Sequence, residues 1–79
     1  MVIVRKTKAT INNKAFEIAY QKKEDKEGVF FEGKIFFANN TILFSFFKKN
    51  NSIFSFKPEL SEKKVKVIIA AIEQKESEA

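Results

Sequence analysis

A chain of 79 residues has room for one hydrophobic core, which excludes a second domain. With 44% hydrophobic and 32% charged residues, it has the composition of a folded protein and not of a disordered tail. The net charge of +5 is concentrated in residues 1–57, where eleven Lys/Arg face five Asp/Glu, and this balance favours polyanionic partners such as nucleic acid or an anionic membrane surface.

The first two predicted strands are joined at Asn12-Asn13, a pair typical of a two-residue hairpin loop because Asn tolerates the positive φ that such loops require. The first strand is placed near residues 2–8. Period-two alternation assigns the side chains of the second strand to two faces. The core face carries Phe16, Ile18 and Tyr20, and the opposite face carries Glu17 and Gln21.

Residues 22–27 are all charged and are followed by Gly28. They are predicted to form a solvated loop before the third strand. Alternation again assigns the side chains of this strand to two faces. The side chains of one face are all apolar, and this face is predicted to be part of the core. The core face holds Val29, Phe31, Ile35 and Phe37, and the opposite face holds Phe30, Glu32, Lys34 and Phe36.

The pairs Asn39-Asn40 and Asn50-Asn51 are predicted to be the next two hairpin loops, so that the chain contains five strands. The fourth strand is apolar on both faces, with Ile42, Phe44 and Phe46 against Leu43, Ser45 and Phe47. Strict alternation in the fifth places Phe54 and Phe56 on one face and Ile53, Ser55 and Lys57 on the other.

Pro58 cannot donate to a sheet ladder and ends the last strand, and Ser61 has the side chain of a helix N-cap. One helix is predicted at about residues 60–75, with a frayed tail at 76–79. It carries two apolar stripes, the second of which meets either a partner chain or the shoulder of a broad buried face. The stripes are Val65, Ile68, Ile69, Ile72 and Leu60, Val67, Ala71. The expected fold is therefore α+β: one domain, residues 1–79, with an antiparallel β-meander of four to five strands followed by one C-terminal helix.

The residues that could perform catalysis are few. The chain has no Cys and no His, which excludes disulfides, thiolate zinc sites and bases built on imidazole. The carboxylates of Glu24, Asp25 and Glu27 lack the spacing of a calcium loop, and two glycines cannot form a Gly-rich phosphate cradle. We therefore expect no enzyme, no cofactor and no metal.

The candidate site is the face of the sheet opposite the core, where aromatic rings and cations are mixed. Bases of single-stranded nucleic acid stack on such rings, while the cations follow the phosphates. Phenylalanine is also mainly a core residue, so burial inside the domain or against another subunit is the alternative reading. The predicted nucleic-acid-binding residues are Phe30, Lys34, Phe36, Phe47 and Lys57.

The predicted chain has meandering strands, then a corner at Lys57-Pro58-Glu59-Leu60, and then one terminal helix. This layout resembles the small single-stranded DNA-binding folds of the Pur-alpha, Whirly and positive-coactivator type. The local similarities are the segments at residues 28–31 and 55–60. The resemblance implies a basic curved sheet, dimerisation, and single strands bound on the sheet. One strand more than a four-stranded repeat is present, and no functional residue is transferred from these families.

Three functional hypotheses remain open at this point. The first is a non-enzymatic nucleic-acid-binding module, dimeric and selective for single strands. The second is a small protein-interaction or inhibitor domain, of the kind found among phage- or plasmid-encoded regulators, that docks through its Phe-rich face or a sheet edge. The third is a purely structural homodimer, since a small domain without disulfides gains stability from self-association.

The hydrophobic runs are too short for export or membrane insertion. The three apolar residues that follow Met1 are fewer than the about seven to fifteen of a signal peptide. The longest uncharged run, residues 35–47, is thirteen residues long, and about 20 are needed to cross a bilayer as a helix. We therefore expect a cytoplasmic protein without a membrane segment.

Overall fold

The structure, a computed structural model, describes residues 3–37 and 39–78. These residues form a five-stranded antiparallel sheet in the order β1-β2-β3-β4-β5, followed by one C-terminal helix. This confirms the expected α+β meander. The elements are β1 (Arg5–Ile11), β2 (Lys14–Glu24), β3 (Val29–Phe37), β4 (Asn40–Lys49), β5 (Ser52–Lys57) and α1 (Glu62–Ser77). The first strand thus lies later than predicted, and the predicted position Val2 is outside the described residues.

Two of the three Asn pairs form the predicted hairpin loops. Asn12 and Asn13 have φ of 51° and 65°, and Asn50 and Asn51 have φ of 51° and 67°, which is the left-handed conformation that two-residue hairpin loops require. The third loop differs from the prediction. Asn40 is already the first residue of β4, where it pairs with Phe37, and Ala38 lies outside the described residues.

The charged loop is shorter than predicted, because β2 continues through Glu24. The three residues that were assigned to the loop pair with the beginning of β3, so their backbone groups bond to the sheet. The turn itself is closed by Asp25, whose Oδ1 accepts hydrogen bonds from the backbone N–H groups of Glu27 at 2.8 Å and Gly28 at 3.1 Å. The extra pairs are Lys22 with Phe31, Lys23 with Phe30 and Glu24 with Val29.

The core lies between α1 and the face of the sheet that the alternation assigned to it. The rings of Phe31 and Phe46 stack at its centre with centroids 4.9 Å apart, and Ile68 and Ile72 of α1 are fully buried against the sheet. Both helix stripes contribute, because Leu60, Val67 and Ala71 of the second stripe also pack on the core. The second stripe is therefore the shoulder of one broad buried face. The buried residues are Ala9, Phe16, Ile18, Tyr20, Phe31, Ile35, Phe44, Phe46, Ile68 and Ile72.

The predicted N-cap is confirmed, since Ser61 accepts a hydrogen bond from the backbone N–H of Lys64 at 3.3 Å. The helix itself begins at Glu62, two residues after the predicted start. It ends later than predicted. Helix α1 runs to Ser77, so the expected frayed tail is wrong for Glu76 and Ser77, while Ala79 lies outside the described residues. No helix among the described residues is long and apolar enough to cross a membrane.

A β-bulge interrupts the alternation of β5. The register shifts between Ser45 and Phe47 of β4, and Ser55 of β5 has a φ of 56°. One extra residue therefore lies in β5 at this point. Phe56 turns to the core, where its ring stacks on that of Phe46 at 5.7 Å, while Phe54 pairs with Phe47 on the opposite face. The prediction that Phe54 and Phe56 share a face is wrong for this reason.

Strands β2 and β3 approach each other closely at Gly33. A Cβ atom built on Gly33 would lie 2.1 Å from the carbonyl oxygen of Ala19 and 2.7 Å from the Cα of Tyr20. Backbone atoms occupy the space that any side chain would need, so this position requires glycine. The close approach lies in the middle of the sheet, beside Lys34 of β3.

Candidate functional site

The sheet face turned away from α1 is called the open face, and the strand register arranges its side chains in rows across the strands. Adjacent rows are two residues, about 7 Å, apart along a strand, and three residues apart at the bulge in β5. Four of these rows lie between Lys49 and the Asn12-Asn13 loop. The first row holds Lys23, Phe30, Phe47 and Phe54, and the second holds Gln21, Glu32, Ser45 and Lys57. The third row holds Lys6, Ala19, Lys34 and Leu43, and the fourth holds Lys8, Glu17, Phe36 and Thr41.

All five residues predicted as a site lie on the open face, but the structure does not bring all of them together. Phe30 and Phe47 are direct cross-strand partners in the first row. Lys57 and Lys34 follow in the second and third rows. Phe36 is in the fourth row, six residues from Phe30 along β3, a distance of about 20 Å. Phe36 therefore belongs to the open face without belonging to the aromatic row.

Two exposed apolar residues of this face were absent from the predicted site. Phe54 is 50% exposed and extends the aromatic row to three phenylalanines, and Leu43 is 68% exposed beside Lys34. Leu43 was assigned to the correct face by alternation. Phe54 was not, because the bulge at Ser55 reverses the faces within β5, and a serine with positive φ carries no sequence signal for such a bulge.

The rings of the open face are accessible to a ligand. Phe30 is 36% exposed and Phe36 40% exposed, whereas core rings such as Phe31 and Phe46 are nearly inaccessible. Apolar area left in water is unfavourable by about 25 cal/mol per Å². Covering a row of partly exposed aromatic rings with a flat apolar group therefore lowers the free energy.

The open face carries most of the net charge of the molecule. Six lysines and two glutamates lie on it, a balance of +4 out of the net +5 of the chain. Within residues 3–37 and 39–78, one of these lysines is in an ion pair, Lys23 with Glu32 at 3.4 Å, and the other five make none. The lysines are Lys6, Lys8, Lys23, Lys34, Lys49 and Lys57, and the glutamates are Glu17 and Glu32.

A depression of about 470 Å³ lies in the middle of the open face. Lys34 of β3 and Lys57 of β5 both line it, together with the hydroxyl-bearing Ser45 of β4 and the carboxylate of Glu32, which is paired with Lys23 at 3.4 Å. Gly33 also lines it, so the depression coincides with the close approach of β2 and β3. Two cations and a hydroxyl donor around one hollow form a setting that suits a small anionic group.

Three cations on the other face of the sheet, Arg5, Lys22 and Lys48, are already in ion pairs within the molecule. Glu76 near the end of α1 accepts hydrogen bonds from Arg5, from the Tyr20 hydroxyl at 2.6 Å and from the Lys22 amine at 2.9 Å. These contacts fix the end of α1 to β1 and β2, and they explain why the helix does not fray at this point. Lys48 likewise pairs with Glu73 at 3.0 Å.

The pKa values of this cluster follow from its contacts. Burial opposes ionisation of Glu76, but its three donors together outweigh burial and lower the pKa of its carboxyl to about 2. Burial, and then the hydrogen bond to Glu76, raise the pKa of the Tyr20 hydroxyl. Glu76 is thus ionised and Tyr20 protonated at neutral pH, and the cluster holds the helix in place.

The described residues contain no group of three His, Cys, Asp or Glu side chains that could hold a metal ion. No protein-family model, no curated protein and no solved structure gives a significant match to the chain. The resemblance to single-stranded DNA-binding folds therefore stays one of layout, and the case for function depends on the open face.

Proposed function

We propose that the chain is a non-enzymatic nucleic-acid-binding module that takes single-stranded DNA or RNA on its open face. The observation that carries this proposal is the coincidence, on one sheet face, of partly exposed phenylalanines with five lysines that lack an ion-pair partner among the described residues. The opposite face is covered by α1, and its cations Arg5 and Lys22 are bound to Glu76.

The chemistry of the open face matches a single strand better than a duplex. An unpaired base stacks on an aromatic ring with a free energy of about 1–3 kcal/mol, and a base inside a duplex is not available for such stacking. Free lysines contribute by displacing counterions from phosphates, a contribution that does not depend on sequence. The proposal places the module in the cytoplasm, where single-stranded nucleic acid is accessible.

Substitutions on the open face test the proposal directly. We expect Phe30→Ala to weaken binding of a single-stranded oligonucleotide by about 1–3 kcal/mol, because it removes a ring on which a base can stack. Lys34→Ala is expected to weaken binding about equally for all sequences and to lower the salt dependence by one unit or less. Fluorescence anisotropy at several salt concentrations measures both effects.

Melting temperatures of the same variants supply the control. If the phenylalanines are purely structural, their replacement lowers the melting temperature by several degrees without changing affinity, and Lys34→Ala changes neither. With at least three of the five free lysines engaged, affinity of the wild-type protein is expected to fall about twentyfold or more between 50 and 200 mM salt. Absence of oligonucleotide binding at low salt would contradict the proposal.

We further propose that the module is a homodimer. A 79-residue domain without Cys has a small core and no covalent cross-link, so it gains stability from self-association. Exposed apolar side chains such as Leu43 also remain on its surface. Light scattering at micromolar concentration is expected to give twice the monomer mass of 9.1 kDa. A well-folded sample that keeps the monomer mass throughout the concentration range would show this part of the proposal to be wrong.

A further inference from the structure

We propose that a single strand crosses the open face at right angles to the β-strands, with unpaired bases on the row Phe30, Phe47, Phe54 and phosphates over the depression between Lys34 and Lys57. This inference depends on the proposed function and adds the path of the ligand and the separate roles of two adjacent rows. It assigns Phe54 and Ser45 to the site beside the residues already considered.

The aromatic row is continuous across three neighbouring strands. Phe30 of β3 pairs with Phe47 of β4, which pairs with Phe54 of β5. Neighbouring strands are about 4.8 Å apart, so successive rings are close enough for one extended strand to lay consecutive bases along the row. Exposure is largest at the edge of the sheet, where Phe54 is 50% accessible.

The anion-binding groups lie immediately beside this row. Ser45 and Lys57 occupy the second row. Ser45 lies two residues, about 7 Å, along β4 from Phe47, and Lys57 lies three residues from Phe54 because of the bulge in β5. A single nucleotide spans such a distance between its base and its phosphate. Lys34 lies in the third row, on the other side of the depression that Lys57 also lines. Lys6, at the β1 end of the third row, extends the line of positive charge to the far edge of the sheet.

A path along β2 would meet an uncompensated negative charge, because it passes Glu17, which makes no ion pair among the described residues. A path along β3 would meet one ring of the aromatic row, Phe30, before it passes Glu32. On the crossing path the third row contains Lys6 and Lys34 with neutral neighbours. The single carboxylate of the second row, Glu32, is already neutralised by Lys23 at 3.4 Å. The crossing path therefore avoids an uncompensated negative charge.

The charge part of the inference is tested with two lysines of the same face. Lys57 lines the depression, whereas Lys49 lies two residues beyond Phe47 on the other side of the aromatic row. We expect Lys57→Ala to lower the slope of log affinity against log salt by about 0.7, the value for one phosphate contact on a single strand. Lys49→Ala removes the same charge and is expected to leave the slope unchanged. Equal effects of the two substitutions would overturn the assigned path.

The base part is tested with Phe54→Ala and two oligonucleotides of equal length, one normal and one abasic. The abasic strand keeps the phosphates and lacks the rings that stack. We expect Phe54→Ala to weaken binding of the normal strand about fivefold or more and to leave binding of the abasic strand unchanged. An equal loss for both strands would show that Phe54 does not hold a base, and would overturn the inference.

The outcomes separate this inference from the proposed function. If the wild-type protein binds the normal strand but fails the Lys49 or the abasic comparison, the path alone is wrong. If it binds no oligonucleotide but binds vesicles of anionic phospholipid, the open face is a membrane-surface site and both proposals fall. Unchanged melting temperatures of Phe54→Ala, Lys57→Ala and Lys49→Ala confirm that the variants are folded.

Discussion

A Gly33→Ala variant is expected to melt about 12 °C or more below the wild-type protein, because a destabilisation of about 3 kcal/mol lowers the melting temperature of a domain this size by about 4–8 °C per kcal/mol. The added Cβ would lie 2.1 Å from the carbonyl oxygen of Ala19, so the two strands must separate. Overpacking of this kind costs about 1–3 kcal/mol and sometimes more, and here the obstacle is backbone and not a movable side chain.

The matched control is Lys34→Ala, one residue further along β3 on the open face. An exposed substitution of this kind changes stability by about 0.5 kcal/mol or less, so its melting temperature is expected to stay within a few degrees of the wild type. Thermal unfolding followed by circular dichroism measures both variants. If Gly33→Ala melts together with Lys34→Ala, the close approach of β2 and β3 does not restrict this position to glycine.

A Glu76→Gln variant is expected to lose about 2–3 kcal/mol of unfolding free energy at pH 7, which is about 8 °C or more in melting temperature. The carboxyl of Glu76 has a pKa of about 2 in the folded protein against 4.5 for an unperturbed glutamate side chain. Because one pKa unit corresponds to about 1.4 kcal/mol, ionised Glu76 contributes up to about 3 kcal/mol. The side chain is 16% exposed, so solvent screens the contribution little.

The pH dependence gives this prediction a definite sign. Since the folded pKa lies below the unfolded one, the contribution is fully present above about pH 4.5 and is lost as the pH falls towards 2. The difference in unfolding free energy between wild type and Glu76→Gln should therefore be constant near neutral pH and shrink in that window. Urea unfolding at pH 7, 4 and 3 measures it.

Glu73→Gln is the control for this experiment, because Glu73 lies one turn earlier on α1 and pairs with Lys48 at 3.0 Å. Its carboxyl is 48% exposed, and an exposed ion pair contributes at most about 1 kcal/mol. The unfolding free energy of Glu73→Gln is expected to differ little from that of the wild type at every pH. A Glu76→Gln variant that behaved in the same way would show that the contacts of Arg5, Tyr20 and Lys22 do not stabilise the helix.

The faces of the sheet were predictable from sequence wherever a strand is regular. Period-two alternation placed Tyr20, Phe31 and Phe46 in the core, because in a strand each side chain points opposite to the next. The same rule failed in β5, where the bulge at Ser55 adds a residue. The end of α1 also differed, because the partners of Glu76 are up to 71 positions away in sequence and no local pattern reports them.

The sequence predicts which side of the sheet carries the candidate site, but not which of its residues are neighbours. Alternation shows that Phe30, Phe47 and Lys34 share a side of the sheet, but it does not show which residues are neighbours across strands. That information is in the register, which two-residue loops and the bulge fix in three dimensions. The aromatic row, and the depression between Lys34 and Lys57, therefore emerged only from the structure.

The meander topology has a consequence for the order in which the molecule assembles. Every strand pairs with its neighbour in sequence, so each hairpin closes a short loop at little entropic cost, whereas docking of α1 on β1 joins the two ends of the chain. We expect the helix to arrive last, on strands that are already paired. Until then the sheet is apolar on one face and Phe-rich on the other, and the chain is most prone to aggregate. Acid, which protonates Glu76, would prolong that vulnerable stage.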